Sequence, residues 1–162
     1  MSVVQNPTPH PTLPGESEDP WKGSSARVSR SSNAMMGSMD QIARLAWTAI
    51  DCRRPRELAT FYSAITGWPI DETVSDEAWV QLASNGGATL GFQRVDDYRP
   101  PQWPGQEHPQ QEHLDFEVDD LDVGDVAVLS IGARKHEFQP GTLFRVYLDP
   151  EDHPFCLILP GG

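Results

Sequence analysis

Leu58, Phe61, Tyr62 and Ile65 recur at the spacing i, i+3, i+4, i+7. That spacing puts four apolar side chains on one face of a helix. Pro55 suits the first helical position, where a missing N–H costs nothing, and Gly67 suits the stop. Upstream, residues 42–51 read as a strand of mixed apolar character. Downstream, residues 68–74 predict another. Residues 79–83 and 88–94 then form a hairpin across Ser84-Asn85-Gly86-Gly87. Pro100, Pro101, Pro104 and Pro109 rule out regular structure in a polar loop over 95–111. Loops this long inside compact domains are usually functional sites or linkers. A strand over 113–118 follows. Asp119 and Asp120 cap a helix running to Ile131, with Leu121, Val128 and Leu129 as its apolar stripe and Gly132 as its stop. A weak strand over 133–139 precedes a last hairpin, 144–148 with 154–159, turning through Asp149-Pro150-Glu151-Asp152-His153.

The same order of elements therefore occurs twice: strand, helix, glycine, strand, hairpin. A shift of 66 residues carries Trp47 onto His113, Leu82 onto Leu148 and Leu90 onto Cys156. The helix stops, Gly67 and Gly132, need one gap. The expected class is α+β, built from two βαβββ units over about 42–94 and 112–160.

Residues 1–38 lack this patterning. They hold Pro7, Pro9, Pro11, Pro14 and Pro20 and a serine-rich stretch, and they predict a disordered tail ahead of a domain over 39–162. Ser32-Asn33-Ala34-Met35 resembles the remnant of tag cleavage, and Met35, Met36 and Met39 are alternative starts. Hydrophobic residues make up 38% of the 162. The formal net charge of −12 falls wholly after residue 38, with 21 acids against 9 bases. Such a surface repels phosphate backbones and anionic lipid, which argues against nucleic acid or a membrane as partner. Two cysteines, Cys52 and Cys156, without a C-x-x-C pair, fit free thiols in a reducing cytoplasm. Neither an apolar run of about 20 residues nor a secretory signal is visible.

Asp51-Cys52 followed by Pro55, Leu58-Ala59, Phe61-Tyr62 and Gly67-Trp68 resembles the first unit of glyoxalase-like proteins of the vicinal oxygen chelate superfamily (glyoxalase/bleomycin resistance/dioxygenase). Asp97 to Pro101, Trp103-Pro104, His108 to Gln111 and His113-Leu114-Asp115 resemble an actinobacterial-type subgroup. Asp149-Pro150 with His153 to Leu157 resembles the final hairpin. The likeness covers about residues 42–160. It implies an eight-stranded curved sheet around a shared cleft, a small-molecule ligand and often a homodimer. It does not imply one activity, because the fold hosts isomerases, dioxygenases, epimerases and drug-binding proteins. In catalytic members one divalent metal (Zn, Ni, Fe or Mn) takes ligands from the first and last strands of each unit. Those positions fall here on Trp47, Leu90 (with Gln93 nearby), His113 and Cys156. One imidazole and one thiol make an incomplete set.

The expected function is a small-molecule-binding protein without a chelated metal or other cofactor. Trp47, Phe92, Gln93, Tyr98, Trp103 and Cys156 are its candidate ligand-binding residues. His113 and Asp115 are the candidate catalytic pair, since strand alternation puts both on one face, with Glu117 beyond. The first alternative is a metal-dependent lyase or isomerase of the glyoxalase I type, or a dioxygenase-related enzyme. There His113 would share the ion with Gln93, Asp115 or Cys156. The second is a non-catalytic assembly module. His153 is expected to be exposed scaffold in its turn, while His10, His108 and His136 carry no signal. No Ser-His-Asp order, phosphate loop, dinucleotide glycine motif or zinc-finger spacing is present.

Overall fold

The structure, a computed structural model, describes residues 42–161. The tail expected over 1–38 lies outside the described residues. The elements are β1 (Trp47–Cys52), α1 (Pro55–Thr66), β2 (Trp79–Gln81), β3 (Thr89–Arg94), β4 (Leu114–Glu117), α2 (Leu121–Ser130), β5 (Arg134–Lys135), β6 (Phe144–Leu148) and β7 (Pro154–Ile158).

Seven strands form two sheets among the described residues, ordered β1-β3-β2 and β4-β7-β6-β5. The mixed α+β class and the repeated order hold, but a single eight-stranded sheet does not. The missing strand is the one expected over 68–74. Only Ile70 pairs there, bridging to Leu82. The Asp71 side chain instead accepts from the Thr73 N–H at 3.0 Å and from its hydroxyl at 2.6 Å, which turns the chain out of the sheet.

In each unit the first strand runs parallel to the last, and the preceding strand is antiparallel to it. The registers correct the sequence alignment. Ala49 lies opposite Gly91 in the first unit, and Asp115 lies opposite Cys156 in the second. The first strands therefore differ by 66 residues and the last strands by 65. Gly91, not Leu90, is the counterpart of Cys156. The gap at the helix stop had already moved the frame by one, and in a strand one residue reverses the face.

α1 forms as its spacing requires, with Pro55 in its first turn and Gly67 at φ 70° closing it through an N–H to Ser63 O. Leu58, Ala59, Phe61 and Tyr62 are buried. Tyr62 stacks on Phe92 of β3 with ring centres 5.5 Å apart and also meets Phe116 and Phe155 of the second sheet. One helix thus packs against both sheets. Asp120 caps α2 by accepting from the N–H groups of Asp122 and Val123. Leu121, Gly124 and Val128 are its buried residues; Leu129, expected in the stripe, is 41% exposed. Gly124 leaves room for Leu157, whose Cδ1 would stand 2.8 Å from a Cβ there and would have to shift.

Candidate functional site

Alternation along β1 sends Ile50 and Cys52 into the core, and Trp47, Ala49 and Asp51 to the opposite, open face. Gly91 and Gln93 of β3 share that face by register, as do Trp79 and Gln81 of β2. The Trp79 indole lies directly over Gly91, where any Cβ would collide with its ring. Trp47 meets Trp79 edge to face, with ring centres 6.1 Å apart, and remains 49% exposed. Two indoles therefore pave this wall of unit one. Phe92 does not belong to it. It was expected beside Gln93, but neighbours in a strand point oppositely, and Phe92 is fully buried against Tyr62. Leu90 is core for the same reason.

The equivalent wall of unit two is polar. His113 Nε2 lies 3.2 Å from Cys156 Sγ and 3.5 Å from Asp115 Oδ1. His113 Nδ1 lies 3.3 Å from the amide oxygen of Gln110. An amide oxygen only accepts, so His113 Nδ1 donates in this contact. Burial pushes the Cys156 thiol up to about 12, and Asp115 adds to the shift. Cys156 by itself is therefore a poor nucleophile. Asp115 and Glu117 are exposed on this face.

A cavity of about 310 Å³ is lined by Ala49 and Asp51 of β1, Tyr98 and Arg99 of the long loop, Glu112 and His153. Its volume is at the lower end for small-molecule sites. Burial raises the Glu112 pKa; His153 opposes the shift and Asp51 and Asp149 add to it. Trp103, expected at the same mouth, packs instead against His136 and Phe138, with ring centres 5.0 and 5.6 Å away. His136 thus serves as a partner for the loop.

His153 is 7% exposed, not the exposed scaffold expected from its place in a turn. Four hydrogens converge on Asp149: the Tyr62 hydroxyl at 2.9 Å, the N–H of Glu151 at 2.8 Å, the N–H of His153 at 3.0 Å, and His153 Nδ1 at 2.8 Å. His153 Nε2 lies 2.8 Å from Asp51 O, a carbonyl that only accepts, so Nε2 also carries a hydrogen. Tyr98 donates its hydroxyl to Glu151 O at 3.0 Å and sits 2.8 Å from Nε2. Both ring nitrogens donate, which makes His153 an imidazolium. Burial pulls its pKa down, but Asp149, Asp51 O and Glu112 outweigh burial and the net shift is upward. Beside it, buried Glu151 accepts from Arg54 Nε at 2.9 Å. Tyr98, expected as a ligand contact, is thus a latch for the loop as well as a cavity wall. In the sequence the motif shows only as the acids Asp149, Glu151 and Asp152 ahead of a histidine. Its partners in β1, α1 and the loop are remote in the chain, and no local signal announces them.

Two βαβββ-type units with first strands parallel to last strands, and an open face between them, define a vicinal oxygen chelate fold. The glyoxalase-like domain family matches residues 47–158, and the chain belongs to that family. No curated protein matches the chain. Among solved structures, a glyoxalase/bleomycin resistance protein/dioxygenase family enzyme from Burkholderia phytofirmans PsJN is 19% identical, with a TM-score of 0.57. The match covers 72% of this chain and 98% of that one. A glyoxalase-related enzyme from Fulvimarina pelagi is 15% identical with a TM-score of 0.52, covering 73% of this chain and 88% of that one. A possible glyoxalase from Bacillus cereus is 10% identical with a TM-score of 0.52, covering 70% and 96%. At such identities the likeness is one of fold.

The resemblance puts the family's metal-ligand positions of the first strands on Trp47 and His113, and the strand registers put those of the last strands on Gly91 and Cys156. Trp47 and Gly91 offer no donor, and Trp79 occupies the space over Gly91. The four-ligand set of the family does not fit this chain.

Proposed function

We propose that this domain binds a small, flat organic molecule on the open face of unit one, without the four-ligand chelate of its family. The observation that carries this reading is the indole of Trp79 lying over Gly91, with Trp47 half-exposed beside it. A ring laid on Trp47 gains stacking and buries apolar area. Ala49 and Asp51 follow Trp47 on the same face, and two residues of strand span about 7 Å. A ligand of ordinary size can therefore stack on Trp47 and place a polar end in the cavity toward Asp51 and Glu112. The alternative, a lyase or isomerase of the glyoxalase I type, needs donors that Trp47 and Gly91 do not provide.

The test is a panel of flat aromatic molecules titrated against the protein in excess chelator, followed by tryptophan fluorescence and thermal stabilisation. The expected result is saturable quenching and a raised Tm that chelator leaves unchanged. Trp47→Ala should weaken binding roughly two- to tenfold, the equivalent of about 0.5–1.5 kcal/mol of aromatic contact. Binding that is abolished by chelator and indifferent to Trp47→Ala would overturn the proposal.

A further inference from the structure

We propose that the polar end of the ligand is a cation, a planar protonated nitrogen group of the amidinium or guanidinium kind, which pairs with the carboxylates of Glu112 and Asp51. This deepens the stacking reading and rests on it, since the aromatic part of the molecule lies on Trp47. It adds the sign of the charge that the cavity selects.

The cavity lining is unbalanced in charge. Asp51, Asp97 and Glu112 bring carboxylates to it, against the guanidinium of Arg99 and the imidazolium of His153. The His153 charge is already answered, because Nδ1 donates to the buried Asp149 and Nε2 to Asp51 O. Arg99 is exposed on the loop. No hydrogen bond or ion pair within the described residues reaches the side chains of Asp51, Asp97 or Glu112. Glu112 is the most telling of these, because it is half-buried. The fully buried carboxylates are held by protein donors: Asp149 by Tyr62, His153 and two backbone N–H groups, and Glu151 by Arg54. Glu112 loses water without gaining such a donor. His153 attracts it but has no ring N–H left to give. A shielded carboxylate in that state favours a cation that can reach it.

A planar cation suits this place better than a compact ammonium. It presents two parallel N–H groups to one carboxylate, and its delocalised charge is also attracted by an indole face. Trp47, Ala49 and Asp51 share one face of β1, and two residues of strand span about 7 Å. That step matches the distance from the far ring of a biphenyl to an amidine carbon at its other end. A ring on Trp47 therefore brings the cation over Ala49, within reach of Asp51 at the cavity. The whole chain has the same sign of charge, a net −12, which draws cations toward it and repels carboxylate or phosphate ligands.

The experiment titrates the full chain, at fixed ionic strength, with three para-substituted biphenyls of one shape that carry an amidine, a carboxamide or a carboxylate. Tryptophan fluorescence reports binding. The amidine should bind about tenfold more tightly than the amide, and the carboxylate most weakly. Glu112→Gln should reduce the preference for amidine over amide to about threefold or less. Asp51→Asn, at an exposed position whose backbone carbonyl is unchanged, should reduce it as well. Trp47→Ala should weaken amidine and amide alike. Equal binding of amidine and amide, or tightest binding of the carboxylate, would overturn the cation and leave the stacking reading in place. A preference that survives both Glu112→Gln and Asp51→Asn would overturn it too, because the acidic surface at large would then account for it. If none of the three molecules binds, the stacking reading fails and the cation with it.

Discussion

Replacing Gly91 by alanine adds one methyl group under the indole of Trp79. The Cβ would collide with the six-membered ring, so the indole must tilt off the sheet. Overpacking of this kind costs about 1–3 kcal/mol, and the low end applies because a side chain rather than backbone has to give. Tilting also disturbs the edge-to-face contact with Trp47, worth about 0.5–1.5 kcal/mol. Against these stands a gain of about 0.4–1 kcal/mol, because alanine has less conformational freedom to lose than glycine. Gly91 does not have a left-handed backbone, so nothing opposes that gain. The expected net loss is about 1 kcal/mol. In a Trp79→Ala background the collision disappears and only the gain remains, so the same substitution should stabilise. Urea denaturation of the four proteins in this cycle gives the coupling directly, expected at about 1–2 kcal/mol. A coupling below about 0.5 kcal/mol, or destabilisation by Gly91→Ala in both backgrounds, would show that the indole does not rest on the glycine. The tryptophan wall of unit one would then be lost as a basis for ligand binding.

Two further outcomes concern the buried polar cluster. His153 has a raised folded pKa, so its contribution to stability is fully present below the ordinary histidine value of about 6.5. That contribution is lost as pH rises through the folded value. Denaturation midpoints followed upward from pH 6 should therefore fall more steeply in wild type than in His153→Gln, with the gap between them narrowing as pH rises; parallel profiles would refute the imidazolium. Tyr62→Phe removes one of the four donors to Asp149 and should cost about 1.5–3 kcal/mol by urea denaturation, whereas a neutral result would deny that the hydroxyl matters to the cluster.

Elements set by local chemistry were the most legible in the sequence. The spacing of Leu58, Phe61, Tyr62 and Ile65 and the flanking Pro55 and Gly67 delimit α1, and Asp120 marks the start of α2. Failures arose where a residue's role depends on distant partners or on a frame of one residue. The strand expected over 68–74 gave way to the Asp71 turn. A uniform shift of 66 residues matches Leu90 to Cys156, whereas the paired strands place Gly91 there. Phe92 and Gln93, both expected at the cleft, are adjacent in one strand and point to opposite faces, so Phe92 is buried. The site residues divide in the same way. Trp47, His113, Asp115 and Cys156 all reach the open faces of their sheets. The buried state of His153 depends on a carbonyl 102 residues away, a contact no periodicity reveals.

The two units have matching backbone registers and opposite wall chemistry. At equivalent positions one carries Trp47 and Gly91, the other His113 and Cys156. Such a division is useful only if the two walls keep a fixed relation, and apolar packing of α1 against both sheets is tolerant of sliding. The polar cluster is not. His153, in the turn before β7, donates to Asp51 O of β1; Tyr62 of α1 donates to Asp149; and Arg54, just before α1, donates to Glu151. Each bond crosses from unit two to unit one, and each has a short range and a direction. Shifting one unit against the other would strand buried charges, and removing one partner of a buried pair typically costs about 3–5 kcal/mol. The cluster therefore fixes the tryptophan wall of unit one against the polar wall of unit two. Asp51 and His153 of this cluster also line the cavity, so residues that join the units shape the space a ligand would occupy.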